Sequence, residues 1–267
     1  MHVLVTGAAG FVGSVTVATL LDAGHGVRAL DNLPGVTESG VEWLAGDLAD
    51  PAVVAGAVAD VDAIVHLASG HWTRGLPVVS LVAASVATTA ALYQAAADVG
   101  VTRVVLMSSG AVVTGHPRRT RIDRATPPAF QGTYPLAKWL QEEVARRCAA
   151  GAARRVLVSP ILRPWVVVDA PTRTLRTGTP IDRGLDPLDH DGCFGWIDRA
   201  DLAMACLRAL EADITGAPVY HLMPNPIGGL LFDTAPAHDE LGWQPRLDFA
   251  ADIPAGWTLP DGWPVAA

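Results

Sequence analysis

The sequence predicts an α/β protein built on a doubly wound parallel sheet, with a small, shortened C-terminal lobe. Three observations carry this expectation. Short apolar runs alternate with longer stretches of helical period from the first residues to Pro164. A glycine-rich turn stands directly between the first run and the first helical stretch. Beyond Pro164 the alternation dissolves into a segment punctuated by Pro171, Gly178, Pro180, Gly184, Pro187 and Gly192.

The elements follow in order. Val3-Leu4-Val5 is a short buried strand, and Phe11 to Ala23 is a helix with Phe11, Val15, Ala18 and Leu21 on its apolar face. Val27–Leu30, Val41–Leu44 and Ala63–Leu67 are the next three strands. A long helix covers Val78–Asp98, Arg103–Met107 is the fifth strand, and Tyr134–Arg147 is again helical. Arg155–Leu162 closes the series as a sixth strand. After the loop-rich segment come a helix at Arg199–Ala212, a strand at Pro218–Leu222 and a tail holding Trp243, Trp257 and Trp263. Strand and helix in alternation imply parallel strands joined by right-handed crossovers. Residues 1–164 then form the sheet domain, with 196–222 returning to it. Residues 165–195 and 223–267 form the small lobe.

Composition narrows the class. The 267 residues are half hydrophobic and 17% charged, enough for one substantial core with a small appendage. A net charge of −8 argues against nucleic acid, whose phosphates need a basic face. Cys148, Cys193 and Cys206 stand far apart without metal spacing, which fits free thiols in a reducing compartment. No basic segment precedes the apolar run at Met1–Thr6, so the expected location is the cytoplasm. Val78–Ala97 is long enough to span a bilayer, but it contains Ser80, Ser85, Thr88, Thr89 and Gln94 and lacks flanking Lys or Arg anchors. A buried amphipathic helix is expected, and no membrane partner. Asp182, Asp186, Asp189 and Asp191 form an acidic run without the spacing of a calcium loop, so a lid is expected there and no metal.

The turn reads Thr6-Gly7-Ala8-Ala9-Gly10-Phe11-Val12-Gly13. Gly7 permits a tight turn, Gly10 lets backbone approach a pyrophosphate, and Gly13 lets helix pack on strand. The amino end of the following helix offers unpaired N–H groups and a positive dipole to an anion. This is the phosphate cradle of a Rossmann-type dinucleotide site, in the GxxGxxG variant. Asp31, at the end of the second strand, is placed to accept both ribose hydroxyls of adenosine and to repel a 2′-phosphate. NAD is therefore expected over NADP. Asp47, at the end of the third strand, is a candidate partner for the adenine.

Tyr134 and Lys138 stand at i and i+4, one above the other on a helical face. A free phenol titrates near ~10, too high for proton exchange at neutrality, and a neighbouring ammonium favours the phenolate. Lys138 is the only lysine of the chain, and it follows one of only three tyrosines. The fifth strand ends in Ser108-Ser109-Gly110, at the carboxyl edge where doubly wound sheets bind ligands. A serine hydroxyl there is suited to hold a reacting oxygen.

Together these residues resemble the extended short-chain dehydrogenase/reductase family, the NAD-dependent epimerase/dehydratases. TGAAGFVG, Asp31, Gly46-Asp47-Leu48, His66-Leu67-Ala68, Ser108-Ser109, Tyr134-Pro135-Leu136-Ala137-Lys138, Leu162-Arg163-Pro164, Trp196–Leu202 and Glu240–Pro245 appear in family order. The resemblance implies Tyr134 as acid/base, Lys138 as the group that holds cofactor ribose and tunes Tyr134, and Ser109 on the reacting oxygen. It implies a cofactor site at Gly7, Gly10, Phe11, Val12, Gly13, Asp31, Asn32, Asp47, Leu48, Leu67, Ala68, Ser69, Tyr134, Lys138 and Pro164. Counting back from Gly115 instead puts Gly110 at the serine position, and Thr114 and Ser85 stand where the family usually has Tyr and Asn. Length and the segment Gly115–Asp123 look most like uronate dehydrogenases, which oxidise C1 of a sugar acid.

Substrate-binding residues are expected at His71, Gly110, Arg173 and Arg176. Arg118, Arg119, Arg121 and Arg124 are read as a solvated loop able to capture an anion. Trp72 and Trp165 are candidates to wall a ring. The helices at Val78–Asp98 and Tyr134–Arg147 are apolar on more than one side, which implies a homodimer. The expected function is NAD-dependent hydride transfer on a secondary alcohol or carbonyl of a small sugar-like or cyclic substrate. The alternatives are a nucleotide-sugar epimerase or dehydratase with tightly held NAD, and a non-catalytic NAD-sensing protein.

Overall fold

A computed structural model describes residues 1–33, 35, 40–69, 77–151, 157–181, 188 and 192–261. At its centre lies β1 (His2–Thr6), whose Val3, Leu4 and Val5 are fully buried. Successive side chains of a strand point to opposite faces. Val3 and Val5 accordingly join one hydrophobic cluster and Leu4 another. Both faces are covered, which is why the strand reads as a continuous apolar run.

Among the described residues, seven strands form one parallel sheet: β1, β2 (Gly26–Asp31), β3 (Val41–Ala45), β4 (Ala63–His66), β5 (Arg103–Met107), β6 (Ile161–Pro164) and β10 (Val219–Leu222). Their spatial order is β10-β6-β5-β4-β1-β2-β3. The order reverses between β1 and β4, and the crevice at the carboxyl ends of those two strands is where such sheets hold ligands. Helix α1 (Gly13–Asp22) and helix α5 (Arg199–Glu211) pack together beside the Val3 and Val5 cluster. Helices α2 (Pro51–Val58), α3 (Val78–Val99) and α4 (Thr133–Ala150) cover the other face. Asp50 caps α2 by accepting from the Ala52 N–H at 2.8 Å, with Pro51 at the first helical position. The buried guanidinium of Arg28 reaches from β2 to the far end of α2, donating to the carbonyls of Gly56, Ala57 and Ala59.

The sixth strand differs from its expected span. It begins at Ile161, while Leu157–Pro160 contribute only an isolated bridge between Val158 and Arg103. Pro160 has no N–H to donate, so the ladder is interrupted there and resumes after it. The loop-rich stretch holds a second, three-stranded sheet of β7 (Val166–Asp169), β8 (Thr174–Leu175) and β9 (Trp196–Asp198), in the order β8-β7-β9. From β9 the chain enters α5 at Arg199, and Ile197 of β9 already packs into the cluster that holds Val3 and Val5. Asp198 caps α5 through the Ala200 N–H. After β10 come α6 (Pro226–Leu231) and α7 (Ala235–Leu241). Trp243 then anchors the tail, its indole N–H donating to the Asp201 carbonyl at 2.9 Å.

Val79–Val99 is long and apolar enough to cross a membrane. Its inner face packs on α2 and α4. Its outer face, Val79, Val82 and Val86, lies beside Leu136 and Leu140 of α4 in an open apolar groove.

Candidate active site

The glycine turn is shaped by crowding. Gly7 adopts φ +73°, a left-handed conformation, and a Cβ there would stand 2.7 Å from the Ala68 nitrogen. A Cβ on Gly13 would fall 2.0 Å from the Gly7 carbonyl oxygen. The turn is thus held tight against β4 and α1, as the motif requires. Helix α1 has neither a side-chain cap nor an acid in its first turn. The Ser14 N–H is taken by the Gly10 carbonyl at 3.0 Å, and with no side chain competing for the remaining N–H groups or the positive dipole end, the residues present fit a pyrophosphate.

Asp31 ends β2 with its carboxylate beside that turn: Oδ2 accepts from Ala9 N and Oδ1 from Leu33 N, both at 3.0 Å. Asn32 next to it is exposed. Asp47 lies two residues past β3, where its Oδ1 closes a turn with the Ala49 N–H at 2.9 Å. Leu48 is buried, Leu67, Ala68 and Ser69 leave the carboxyl end of β4 partly exposed, and Pro164 ends β6. Phe11 carries the Arg199 guanidinium over its ring at 5.1 Å, a contact between turn and α5 that no sequence signal announces.

Ser109 stands close enough to Tyr134 for its hydroxyl to favour the phenolate, and Arg176 of the lobe acts on the phenol as a charge within electrostatic reach. Burial raises the Tyr134 pKa above its ordinary value; the Ser109 hydroxyl and the Arg176 cation offset part of that rise. Ser109 also caps the 3₁₀ turn Gly110–Val113 through the Ala111 N–H. Of the two positions, Ser109 is the one whose side chain acts on the Tyr134 phenol. Lys138 lies one helical turn further, buried, with its Nζ donating to the Met107 carbonyl at 2.8 Å. Burial lowers its pKa to about 8, against the opposing pull of Glu142.

Glu142, another turn along α4, is fully buried and was not singled out in the sequence. Its carboxylate accepts from Arg163 Nε at 2.8 Å and Nη2 at 2.7 Å, from Arg146 at 2.7 Å and from Ser108 Oγ at 2.5 Å. The spacing from Tyr134 through Lys138 to Glu142 places all three on one helical face, and that signal was available.

A second buried chain runs between β1 and α4. Ala68 N–H donates to Thr6 Oγ1 at 3.4 Å, and Thr6 lies 2.7 Å from His66 Nδ1. His66 Nε2 meets Thr89 Oγ1 at 3.0 Å, and Thr89 donates to the Ser85 carbonyl at 2.8 Å. Gln141 Nε2 donates to Thr89 Oγ1 at 2.8 Å. One direction satisfies Thr6, His66 and Thr89: Thr6 donates to Nδ1, and Nε2–H donates to Thr89, so His66 is neutral with its proton on Nε2. Ser85 thus serves through its carbonyl, while its Oγ has no protein partner.

Burial lowers the pKa of His66 to about 3 and that of His221 to about 4, from an ordinary 6.5. In the window from 6.5 down to about 3 the unfolded chain holds more protons than the folded one, so stability falls as pH falls. The urea midpoint at pH 5 is therefore expected below that at pH 7 with an unchanged slope. Equal midpoints would show that neither imidazole is kept neutral by burial.

The expected substrate-binding residues separate. Arg176 lies within electrostatic reach of Tyr134. Arg173 pairs with Asp252 at 2.7 Å and is held with φ +52° in the turn before β8. Gly110 lies against the Trp165 ring. His71 and Trp72, like the acidic run at 182–191, lie outside the described residues. The arginine run also divides: Arg121 donates to the Gly229 and Leu230 carbonyls and Arg124 pairs with Glu240 at 2.9 Å, while Arg118 borders a cavity. Among the described residues no group of three His, Cys, Asp or Glu could hold a metal.

The fold and the glycine turn define a dinucleotide-binding α/β protein. Residues 3–163 match the model of the NAD dependent epimerase/dehydratase family, and the chain belongs to that family. NAD is accordingly its cofactor. The chain is 41% identical over 122 residues to a 3 beta-hydroxysteroid dehydrogenase/Delta 5-->4-isomerase of Mycobacterium tuberculosis, a match covering 43% of this chain and 33% of that one. It is 33% identical over 147 residues to the uronate dehydrogenase of Pseudomonas syringae pv. tomato, covering 54% and 52%. It thus spans about a third to a half of the length of these curated relatives. Among solved structures, glucuronic acid dehydrogenase from Chromohalobacter salexigens superposes with a TM-score of 0.75 at 28% identity, covering 97% of this chain and 91% of that one.

Proposed function

We propose that the chain is an NAD-dependent oxidoreductase that interconverts a secondary alcohol and its carbonyl on a small sugar-like or cyclic substrate, through Ser109, Tyr134 and Lys138. The observation that carries this reading is the placing of Ser109 beside Tyr134 at the carboxyl edge of the sheet, with a buried lysine one helical turn further along α4. NAD, when bound, supplies the hydride acceptor or donor at its nicotinamide ring.

The protein's own groups have distinct tasks. Gly7, Gly10 and the leading N–H groups of α1 hold the pyrophosphate, and Asp31 holds the adenosine ribose. Ser109 hydrogen-bonds the substrate oxygen and Tyr134 takes or returns its proton. Lys138 holds the second ribose and adds positive charge near Tyr134, joining Arg176 in favouring the phenolate. Arg176 is also suited to an anionic or strongly polar substituent of the substrate. The apolar groove between α3 and α4 supports a homodimer in which a second copy covers it. Carbohydrate metabolism in the cytoplasm remains the setting this reading carries.

Following nicotinamide absorbance over a panel of sugar acids, sugars and cyclic alcohols tests the activity, and no turnover on any of them, in either direction, counts against it. Asp31→Asn tests the cofactor assignment, because the amide keeps an acceptor for Ala9 N while removing the charge. The NADP-to-NAD ratio of kcat/KM is expected to rise about tenfold, equivalent to ~1.4 kcal/mol. An unaltered ratio would remove Asp31 as the determinant.

A further inference from the structure

Ser109 is held through both of its chain neighbours. Ser108 donates its hydroxyl to Glu142 at 2.5 Å and its N–H to the Leu162 carbonyl at 2.8 Å. Gly110 is buried against the Trp165 indole: a Cβ on Gly110 would stand 2.5 Å from Cε3 and 3.1 Å from Cζ3. The pyrrole part of the same indole lies against Gly195, where a Cβ would meet Cδ1 at 2.5 Å and Cγ at 2.8 Å. Neither glycine has a positive φ, so it is the space taken by the indole, and not backbone conformation, that excludes a side chain at both positions. Phe194 and Phe232 pack on the ring at 5.4 and 5.5 Å between centroids and limit where it can move. Trp165 directly follows β6, whose Arg163 is bound twice to Glu142 of α4, the helix of Tyr134. The end of β6 is thus the common mount of both groups, through Arg163 for Tyr134 and through Trp165 for the turn that Ser109 caps.

We infer that Trp165 is a positioning residue, and that its contact with Gly110 fixes the Ser109 hydroxyl beside the Tyr134 phenol. The inference rests on the reading of Ser109 and Tyr134 as the reacting pair. Ser109 Oγ accepts from the Ala111 N–H at 3.2 Å, so its direction is tied to the turn that Gly110 opens. That bond uses a lone pair and leaves the O–H to donate, to the phenolate or to a substrate oxygen. A shift of the turn redirects the hydroxyl, and a misplacement of about 1 Å costs about a hundredfold in rate. The indole meets Gly110 with the edge of a rigid, packed ring, which cannot yield as the end of a flexible side chain does. Bulk added at Gly110 or at Gly195 is therefore passed to Ser109 through Trp165.

The test reads the carbon that bears the phenol oxygen, whose NMR shift follows the hydrogen bonding of that oxygen. The chain has three tyrosines, so protein labelled with ¹³Cζ-tyrosine gives three resonances, and Tyr134→Phe identifies the one from Tyr134. Ser109→Ala sets its position in the absence of the serine hydroxyl. Gly110→Ala and Gly195→Ala are each expected to move the Tyr134 resonance toward that position. Adding Trp165→Leu, which removes the ring they meet, should reverse at least half of the move, a non-additivity that residues in contact show. Trp165→Leu alone should move the resonance by less than Gly110→Ala does. On the alcohol of the panel that the wild type turns over fastest, kcat is expected to fall about a hundredfold in Gly110→Ala, with KM and NAD affinity within about threefold. A Tyr134 resonance that stays in place in Ser109→Ala or in both glycine variants, a move that Trp165→Leu does not reverse, or an unchanged kcat in Gly110→Ala overturns the inference and leaves the oxidoreductase reading standing. Moves and reversal as expected, in a protein that turns over no alcohol, support the positioning contact and overturn that reading. Circular dichroism and NAD affinity report whether each variant is folded. Should both glycine variants fail to fold, Trp165→Leu alone decides, and an unmoved Tyr134 resonance then overturns the inference.

Discussion

Tyr134→Phe lowers kcat about a thousandfold while the affinity for NAD changes by no more than about twofold, the loss expected when a positioned acid/base is removed. The substitution deletes one oxygen. The ring stays in its partly buried place on α4, and the glycine turn and Asp31 are untouched. What disappears is the hydroxyl proposed to carry the proton beside Ser109. Steady-state rates paired with calorimetry of NAD binding separate the two effects. A variant that retains more than about a tenth of the wild-type rate assigns proton transfer to another group and sinks the Ser-Tyr-Lys reading.

Glu142→Ala has the largest expected effect on stability. The carboxylate is fully buried and receives Arg163 through two hydrogen bonds, together with Arg146 and Ser108. Removing it leaves the Arg163 guanidinium, itself 2% exposed, as an unpaired charge in the interior. Breaking such a pair from one side costs about 3–5 kcal/mol. The same change withdraws the charge that opposes the lowering of the Lys138 pKa, so the ammonium would be lost at lower pH. Urea denaturation at a constant slope reads the first effect. A loss smaller than about 1 kcal/mol, the scale of an exposed pair, would mean that Arg163 is compensated by other groups.

The sheet domain was legible because most of its strands are buried on both sides, the edge strand β3 excepted, which writes them into the sequence as apolar runs between helices. The glycine turn was legible for a different reason: Gly7 and Gly13 are sterically compelled, so the spacing itself carries the geometry. Pro160 was misread, since an apolar run continues through it while the ladder cannot. The small sheet escaped because β8 and β9 are only two and three residues long, and such pairs are specified by distant partners rather than by local period. Arg173 and Arg176 are equivalent in composition. Only the fold directs the first to Asp252 and the second to Tyr134. The polar interior around Glu142 was half visible, its helical face being readable and its partner on β6 not.

The hydrogen-bonded string from Thr6 through His66 and Thr89 to Gln141 ties the strand that becomes the phosphate turn to the helix that carries Tyr134. It works as a gauge block. The separation between the glycine turn and the Tyr134 phenol is machined into the protein by this string. Alignment of the reacting groups is then a property of folding rather than a cost charged to each encounter.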